Sequence, residues 1–96
     1  MLEPEYVPRF NRDVKKLKKN KLDITELIEV SRLICQNNAE SLKILKNRHN
    51  MHDLKGEWLG SKECHVANAG DWLLIWRVKC NIAYFLRTGS HDEVFK

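Results

Sequence analysis

The residues able to do chemistry in this 96-residue chain gather in its second half. His52, His65 and His91 are spread along it, with Asp71 between the last two and Trp72 and Phe95 close by. Histidine, with an unperturbed pKa of ~6.5, gives or takes a proton near neutrality. Such a set suits cleavage of RNA by its own 2′-hydroxyl. A general base removes the 2′-hydroxyl proton and a general acid protonates the leaving 5′-oxygen. Cations or hydrogen-bond donors hold the extra charge on phosphorus. An aromatic ring stacked on an unpaired base keeps the scissile step in line. That chemistry needs no metal and no cofactor.

Other readings of the same residues stay open on residue types alone. His49-x-x-His52 with Cys64 or Asp71 would make a metal site, although structural zinc usually takes paired, compact ligands and the second pair is missing. Cys64 would serve as a nucleophile only with a separate base, because adjacent Cys64 and His65 on a strand point to opposite faces. Each histidine could also be a polar surface residue, and His49 is read that way. Trp72 and Trp76 alternate with period two. Trp76 reads as core, whereas Trp58 and Trp72 fit either core or base stacking.

The elements that must position these groups follow from pattern. At 96 residues, 43% apolar and 31% charged, the chain reads as one small domain, residues 1–96. Composition excludes a disordered or collagen-like chain, and no segment approaches the ~20 apolar residues of a spanning helix. No charged-then-apolar leader opens it. Three cysteines at unpatterned spacings form no disulfide framework, so a reducing cytoplasm is the expected location. Charge is uneven. Residues 1–50 hold eleven Lys/Arg against seven Asp/Glu, while residues 51–96 hold six of each. The excess concentrates between Arg9 and Lys21, as expected for a phosphate-rich partner or simply a solvated helix face.

Residues 3–7 read as a short strand ending at Pro8. Phe10, Val14 and Leu17, spaced four and three apart, predict a helix from Pro8 to about Asn20. A second helix is expected over Asp23–Gln36. Asp23 and Glu26 would form its capping box, Ile24, Leu27, Ile28, Ser31 and Ile34 would line its apolar side with Val30 and Leu33 widening it, and Asn37-Asn38 would end it. The two helices should form an antiparallel hairpin. Ser41–Lys46 reads as a further helical turn and Asn47–Gly60 as a long loop. Strands are expected at Lys62–Ala67, Trp72–Lys79 and Ile82–Thr88, with a tight Cys80-Asn81 connection. The fold class is therefore α+β, a helical hairpin packed on a small antiparallel sheet. Ser90-x-x-Glu93 is a capping box that starts a short C-terminal helical turn. His91 would sit at its positive end and be held partly neutral near pH 7.

The ordered pattern His52-x-Leu54-x-Gly56-x-Trp58-x-Gly60, Cys64-His65-Val66, Asp71-Trp72-Leu73-Leu74-Ile75 and Arg87-Thr88-Gly89-Ser90-His91 with Phe95 resembles the YafQ-type toxins of the RelE superfamily, the toxin halves of bacterial toxin–antitoxin pairs. The resemblance covers residues 52–95, and the N-terminal half matches as a helical hairpin. It implies a microbial-RNase-like, RelE-like fold. It implies a ribosome-dependent mRNA endonuclease that cuts in the ribosomal A site without metal, and neutralisation by a cognate antitoxin, through which alone operator DNA would be bound. His52, His65, Asp71, His91 and Phe95 match the family's active-site positions, and Arg87 falls where a family arginine contacts phosphate. Two departures stand out. Asp53 follows the first histidine where proline is common, and an acidic neighbour there would favour the charged form of His52. The step from His65 to Asp71 is about two residues longer than usual, through Asn68-Ala69-Gly70. His49 has no family counterpart.

On this reading His91 and His65 share the proton transfers, with His52 and Asp71 positioning or partnering them. Phe95 orients the nucleotide, Trp72 adjoins it, and Arg87 and Lys62 stabilise the phosphate. Arg12, Lys15, Lys16 and Lys19 of the first helix dock on ribosomal RNA. The alternatives are a non-catalytic RNA- or ribosome-binding module and a silent toxin relative acting as co-repressor with its antitoxin. If the helix cations dock on RNA, binding should weaken steeply as salt rises, because each phosphate contact releases counterions. A binding titration at several salt concentrations reads that slope.

Overall fold

The computed structural model describes residues 1–67 and 71–95. Its elements run β1 (Glu3–Tyr6), α1 (Pro8–Lys19), α2 (Thr25–Gln36), α3 (Ala39–His49), β2 (His52–Asp53), a 3₁₀ turn (Gly56–Trp58), β3 (Lys62–His65), β4 (Leu73–Lys79), β5 (Ile82–Gly89) and α4 (His91–Val94). The five strands form one sheet in the order β1-β5-β4-β3-β2. Strands β3 to β5 form the antiparallel meander that the sequence indicated, β2 extends it from a segment expected to be loop, and β1 joins β5 in parallel, so the sheet is mixed. A parallel partner must arrive through a long crossover, here everything between β1 and β5. Nothing in a four-residue strand announces that.

Local chemistry explains where the elements start and stop. Pro8 opens α1 at its first turn, where its missing N–H is no loss, and Lys16, Lys18 and Lys19 lie against the negative end. Asn37 and Asn50 end α2 and α3 in the left-handed conformation that asparagine tolerates. Asn38 and Ser41 cap α3 reciprocally, so this helix extends to His49 where a loop was expected. Asp23 does not pair with Glu26 in a capping box. It accepts hydrogen bonds from the N–H and hydroxyl of Thr25, and α2 begins two residues later. Cys80 and Asn81, both at positive φ, make the two-residue turn between β4 and β5 without glycine.

The core lies between the helices and one face of the sheet. Phe10, Leu27, Val30, Ile34 and Leu45 from the helices meet Cys64, Leu74, Trp76, Ala83 and Phe85 from the strands. Tyr6 stacks on Phe10 and on Phe85 with ring centroids 5.7 and 5.4 Å apart, and Phe10 meets Phe85 tilted at 5.7 Å. Ile28, expected on the apolar side of its helix, is 59% exposed instead. The close helix pair is α2 with α3, while α1 packs chiefly on β5.

One polar contact fastens α1 to that strand. Asp13, 11% exposed, accepts from Arg87 Nε at 2.8 Å and from the Thr88 N–H at 3.1 Å. Arg87 also donates to the Glu93 carbonyl at 3.1 Å, tying in the start of the C-terminal turn. Replacing Asp13 with Ala strands a half-buried guanidinium and should cost about 3 kcal/mol. A urea melt of the variant against the parent protein measures that loss.

Candidate active site

Strand alternation sets the site. Cys64, Leu74 and Thr88 are register neighbours on the core face. The residues between them, Glu63, His65, Leu73, Ile75 and Arg87, face the other way. A bulge between Ile75 and Trp76 breaks the β4–β5 register, so that Arg87 opposes Ile75 while Phe85 opposes Trp76. Arg87 and Phe85 therefore serve different faces of the sheet although they sit two residues apart.

His91 starts α4, and Asp71 grips it twice. Asp71 Oδ1 accepts from the His91 ring Nδ1 at 2.6 Å, and both carboxylate oxygens accept from the His91 backbone N–H at 3.0 and 3.1 Å. The ring is thereby oriented, with Nε2 left for other work. Ser90 and Glu93 cap α4 reciprocally, as expected, and Lys16 bonds Glu93 at 2.5 Å. The Lys16 ammonium, helped by the Ser90 N–H, pulls the Glu93 carboxyl down to about 2. Gly89 makes the approach possible: at φ +149 it leaves β5, and a Cβ there would meet Glu93 Oε1 at 3.3 Å.

The expectation that His91 is held partly neutral by the helix end is wrong. The hydrogen bond to Asp71 raises the pKa of His91 above its ordinary value, against some desolvation. A direct carboxylate contact outweighs the weak dipole of a four-residue helix. The same contact lowers the pKa of Asp71.

His65 stands beside this pair, its ring centroid 6.5 Å from that of His91. Its backbone is held from behind, because the His49 ring donates from Nδ1 to the His65 carbonyl at 2.8 Å. His49 is thus a half-buried strut at the end of α3, not a free surface residue. His52, on β2, pairs in register with Glu63 of β3. Its Nδ1 donates to the Asn50 carbonyl at 2.8 Å, and its Nε2 lies 3.3 Å from Glu63 Oε1. Asp53, expected to act on His52, bonds Lys62 at 2.6 Å, which lowers the Asp53 pKa. By alternation Lys62 shares the face of Cys64, not that of His65.

Phe95 is 41% exposed, with its ring 5.8 Å from His91 and 6.2 Å edge-on from Trp58. Glu57, Trp58, Arg87, Val94 and Phe95 line a hollow of about 360 Å³. Trp72 is partly buried. It packs against the core, and its indole N–H donates to the Thr88 hydroxyl at 3.0 Å. Arg12, Lys15 and Lys19 are exposed on α1, whereas Lys16 is tied to Glu93. Cys64 is fully buried and burial pushes its thiol up to about 12, which removes it as a nucleophile. Asn68–Gly70, where the step to Asp71 lengthens, lie outside the described residues. Sequence reasoning missed Glu63. Its position two residues before His65 on a strand placed both on one face and was the available signal.

Linkage gives the His91–Asp71 pair a definite pH window. Folding raises the His91 pKa, so its share of stability is complete below about pH 6.5 and is lost as pH rises through the folded value. Folding lowers the Asp71 pKa, so its share is complete above about pH 4 and is lost as pH falls through the folded value. The pair is at full strength between these limits. Asp71→Asn should return the His91 titration toward about 6.5, and an NMR pH titration of the His91 ring protons follows it directly.

Comparison with known proteins identifies the family. The family model described as "Bacterial toxin of type II toxin-antitoxin system, YafQ" matches residues 2–96. The curated mRNA interferase toxin YafQ of Escherichia coli K12 is 31% identical over 91 residues, which span 95% of this chain and 92% of that protein. The structure of YafQ from E. coli BL21(DE3) superposes with a TM-score of 0.85 at 28% identity, covering 100% of both chains. A copper-bound mutant toxin from Helicobacter pylori also gives 0.85, at 33% identity over 99% of this chain and 100% of the other. In the E. coli DinJ–YafQ complex, the matching chain gives 0.83 at 29% identity, covering 100% of both. With nearly its whole length matched by the family model, and a 31% identical relative covered almost end to end, this chain belongs to the YafQ family of bacterial type II toxin–antitoxin toxins.

Proposed function

We propose that this protein is a cytoplasmic endoribonuclease, the toxin of a type II pair, that cuts mRNA in the ribosomal A site by metal-independent attack of the 2′-hydroxyl. On this reading it is one RelE-like domain, neutralised by a cognate antitoxin through which it reaches operator DNA. The observation that carries the reading is His91 clamped to Asp71 with His65 alongside. A histidine whose pKa is raised by a carboxylate holds its proton near neutrality and suits the acid role. The neighbouring His65 then suits the base.

The reaction runs as follows. His65 takes the 2′-hydroxyl proton, and the oxygen attacks the adjacent phosphorus. The P–O5′ bond breaks as His91 Nε2 delivers its proton to the departing 5′-oxygen, leaving a 2′,3′-cyclic phosphate. Asp71 keeps Nδ1 occupied, so that Nε2 is the nitrogen that works. Arg87 spends Nε and Nη2 on Asp13 and the Glu93 carbonyl, which fixes its guanidinium at the rim of the hollow beside Phe95 and Trp58. From there it supplies charge to the phosphate while Phe95 offers a face for a base. Arg12, Lys15 and Lys19, with Lys16 beside them, give α1 a basic surface for ribosomal RNA. The relative captured with DinJ supports the antitoxin as partner.

The test is a paired induction in bacterial cells, wild type against His91→Ala, with mRNA 5′ ends mapped. The expected result is growth arrest and codon-phased cuts from wild type alone, with His91→Ala folded and at least ~100-fold slower. Equal arrest from both proteins without new 5′ ends would establish a passive binder and end the nuclease reading. Co-expression of the product of the neighbouring gene should restore growth to the wild-type culture.

A further inference from the structure

Glu63 is the buried acid that the scheme above leaves unused. It is 4% exposed in the middle of β3, and its Oε2 has no hydrogen-bond partner among the described residues. Burying a carboxylate oxygen without a donor is expensive, and a fold keeps such a group only where something else depends on it. Its other oxygen shows what that is. Oε1 faces the Nε2 of His52, 3.3 Å away across the β2–β3 register, while the Asn50 carbonyl holds Nδ1 from the opposite side. β2 is only two residues long and both are exposed, so the polar contacts at its two nitrogens are what orient this ring.

We infer that Glu63 is a positioning residue for the cleavage reaction: it holds the His52 imidazole by Nε2, so that the ring edge is presented to the phosphodiester as a hydrogen-bond donor. This rests on the RNA-cleavage reading. It assigns His52 to the phosphate and leaves the 2′-hydroxyl proton to His65. Both ring nitrogens of His52 face oxygen acceptors, so the ring is oriented from two sides. The 3.3 Å contact is long, so a phosphate oxygen can share the Nε2 proton without dislodging the ring. Glu63 and His65 lie on one face of β3, two residues apart, so the donor and the base reach the same side of the sheet. The other charged groups near the pair are Lys62 and Asp53, which bond each other, and Asp71 with His91. Changing Glu63 leaves the Lys62–Asp53 pair bonded but removes one of the charges that raise the His91 pKa, so the His91 titration is followed alongside.

Three substitutions test the inference in reconstituted translation complexes carrying a defined mRNA. Glu63→Gln removes the charge at constant shape. Glu63→Met replaces the acid with an apolar chain of similar length. Glu63→Asp keeps the acid. Cleavage by Gln and Met should fall at least about tenfold in kcat with KM little changed, and Asp should restore most of it. The Met variant should melt at or above the wild-type temperature, since an apolar replacement of a buried ionic group is often neutral or stabilising. A hydrogen-bonded His52 Nε2–H resonance, present in wild type, should be lost in Met. Two results overturn the inference: unchanged kcat in Gln and Met, or activity that falls only in step with a lowered melting temperature. Wild type and His91→Ala run alongside. Failure of the wild type to cut would refute the nuclease reading itself, whereas a cutting wild type with an indifferent Glu63 refutes only this step.

Discussion

Everything in this small protein depends on strands β3, β4 and β5 having two different faces. One face is apolar and closes the core with Phe10, Leu27, Val30, Ile34 and Leu45 from the helices. The other carries Glu63, His65 and Arg87 beside the fully buried Leu73 and Ile75. A chain this short has no spare element to dedicate to chemistry, so the sheet that stabilises the fold also holds the site. The period of two makes this possible, because neighbouring residues such as Cys64 and His65 meet wholly different surroundings. The bulge at Ile75 and Trp76 lets β5 end on the turn that delivers His91.

Carboxylates organise the charged face. Asp13 holds Arg87 and joins α1 to β5, Glu93 holds Lys16 and closes the cap of α4, and Asp71 holds His91. Each acid works twice, gripping a side chain and also bonding a backbone N–H: that of Thr88 for Asp13, Ser90 for Glu93, and His91 for Asp71. Single exposed ion pairs add little to stability. Their value here lies in orientation, since backbone contacts remove the rotational freedom that an ion pair alone leaves. Glu63 differs: among the described residues one buried oxygen has no hydrogen-bond partner, and the other faces His52.

Much of the local structure was legible in the chain. The Phe10–Val14–Leu17 stripe located α1, the Ser90–Glu93 pair located α4, and the closely spaced apolar runs located β4 and β5. Less legible was whatever depends on partners distant in sequence. β1 is exposed along its length, so no apolar alternation betrays its parallel place beside β5. His49 looked like a surface histidine because its acceptor is a backbone carbonyl sixteen residues away. The hydrogen bond from Trp72 to Thr88 was hidden for the same reason, its partner lying sixteen residues away.

The sequence by itself determined which groups could transfer protons, where the helices and hairpin turn form, and the family to which the chain belongs. Those properties reside in residue types and short spacings, which act through bonds and near neighbours. Only the tertiary structure decided the state and use of each group. A histidine's pKa depends on the charge a few ångströms from its ring. For His91 that charge is Asp71, twenty residues earlier, and it reverses the local expectation from the helix end. The buried oxygen of Glu63 and its contact with His52 exist only once β2 and β3 pair. Electrostatics acts through space, and the chain sets those distances only by folding.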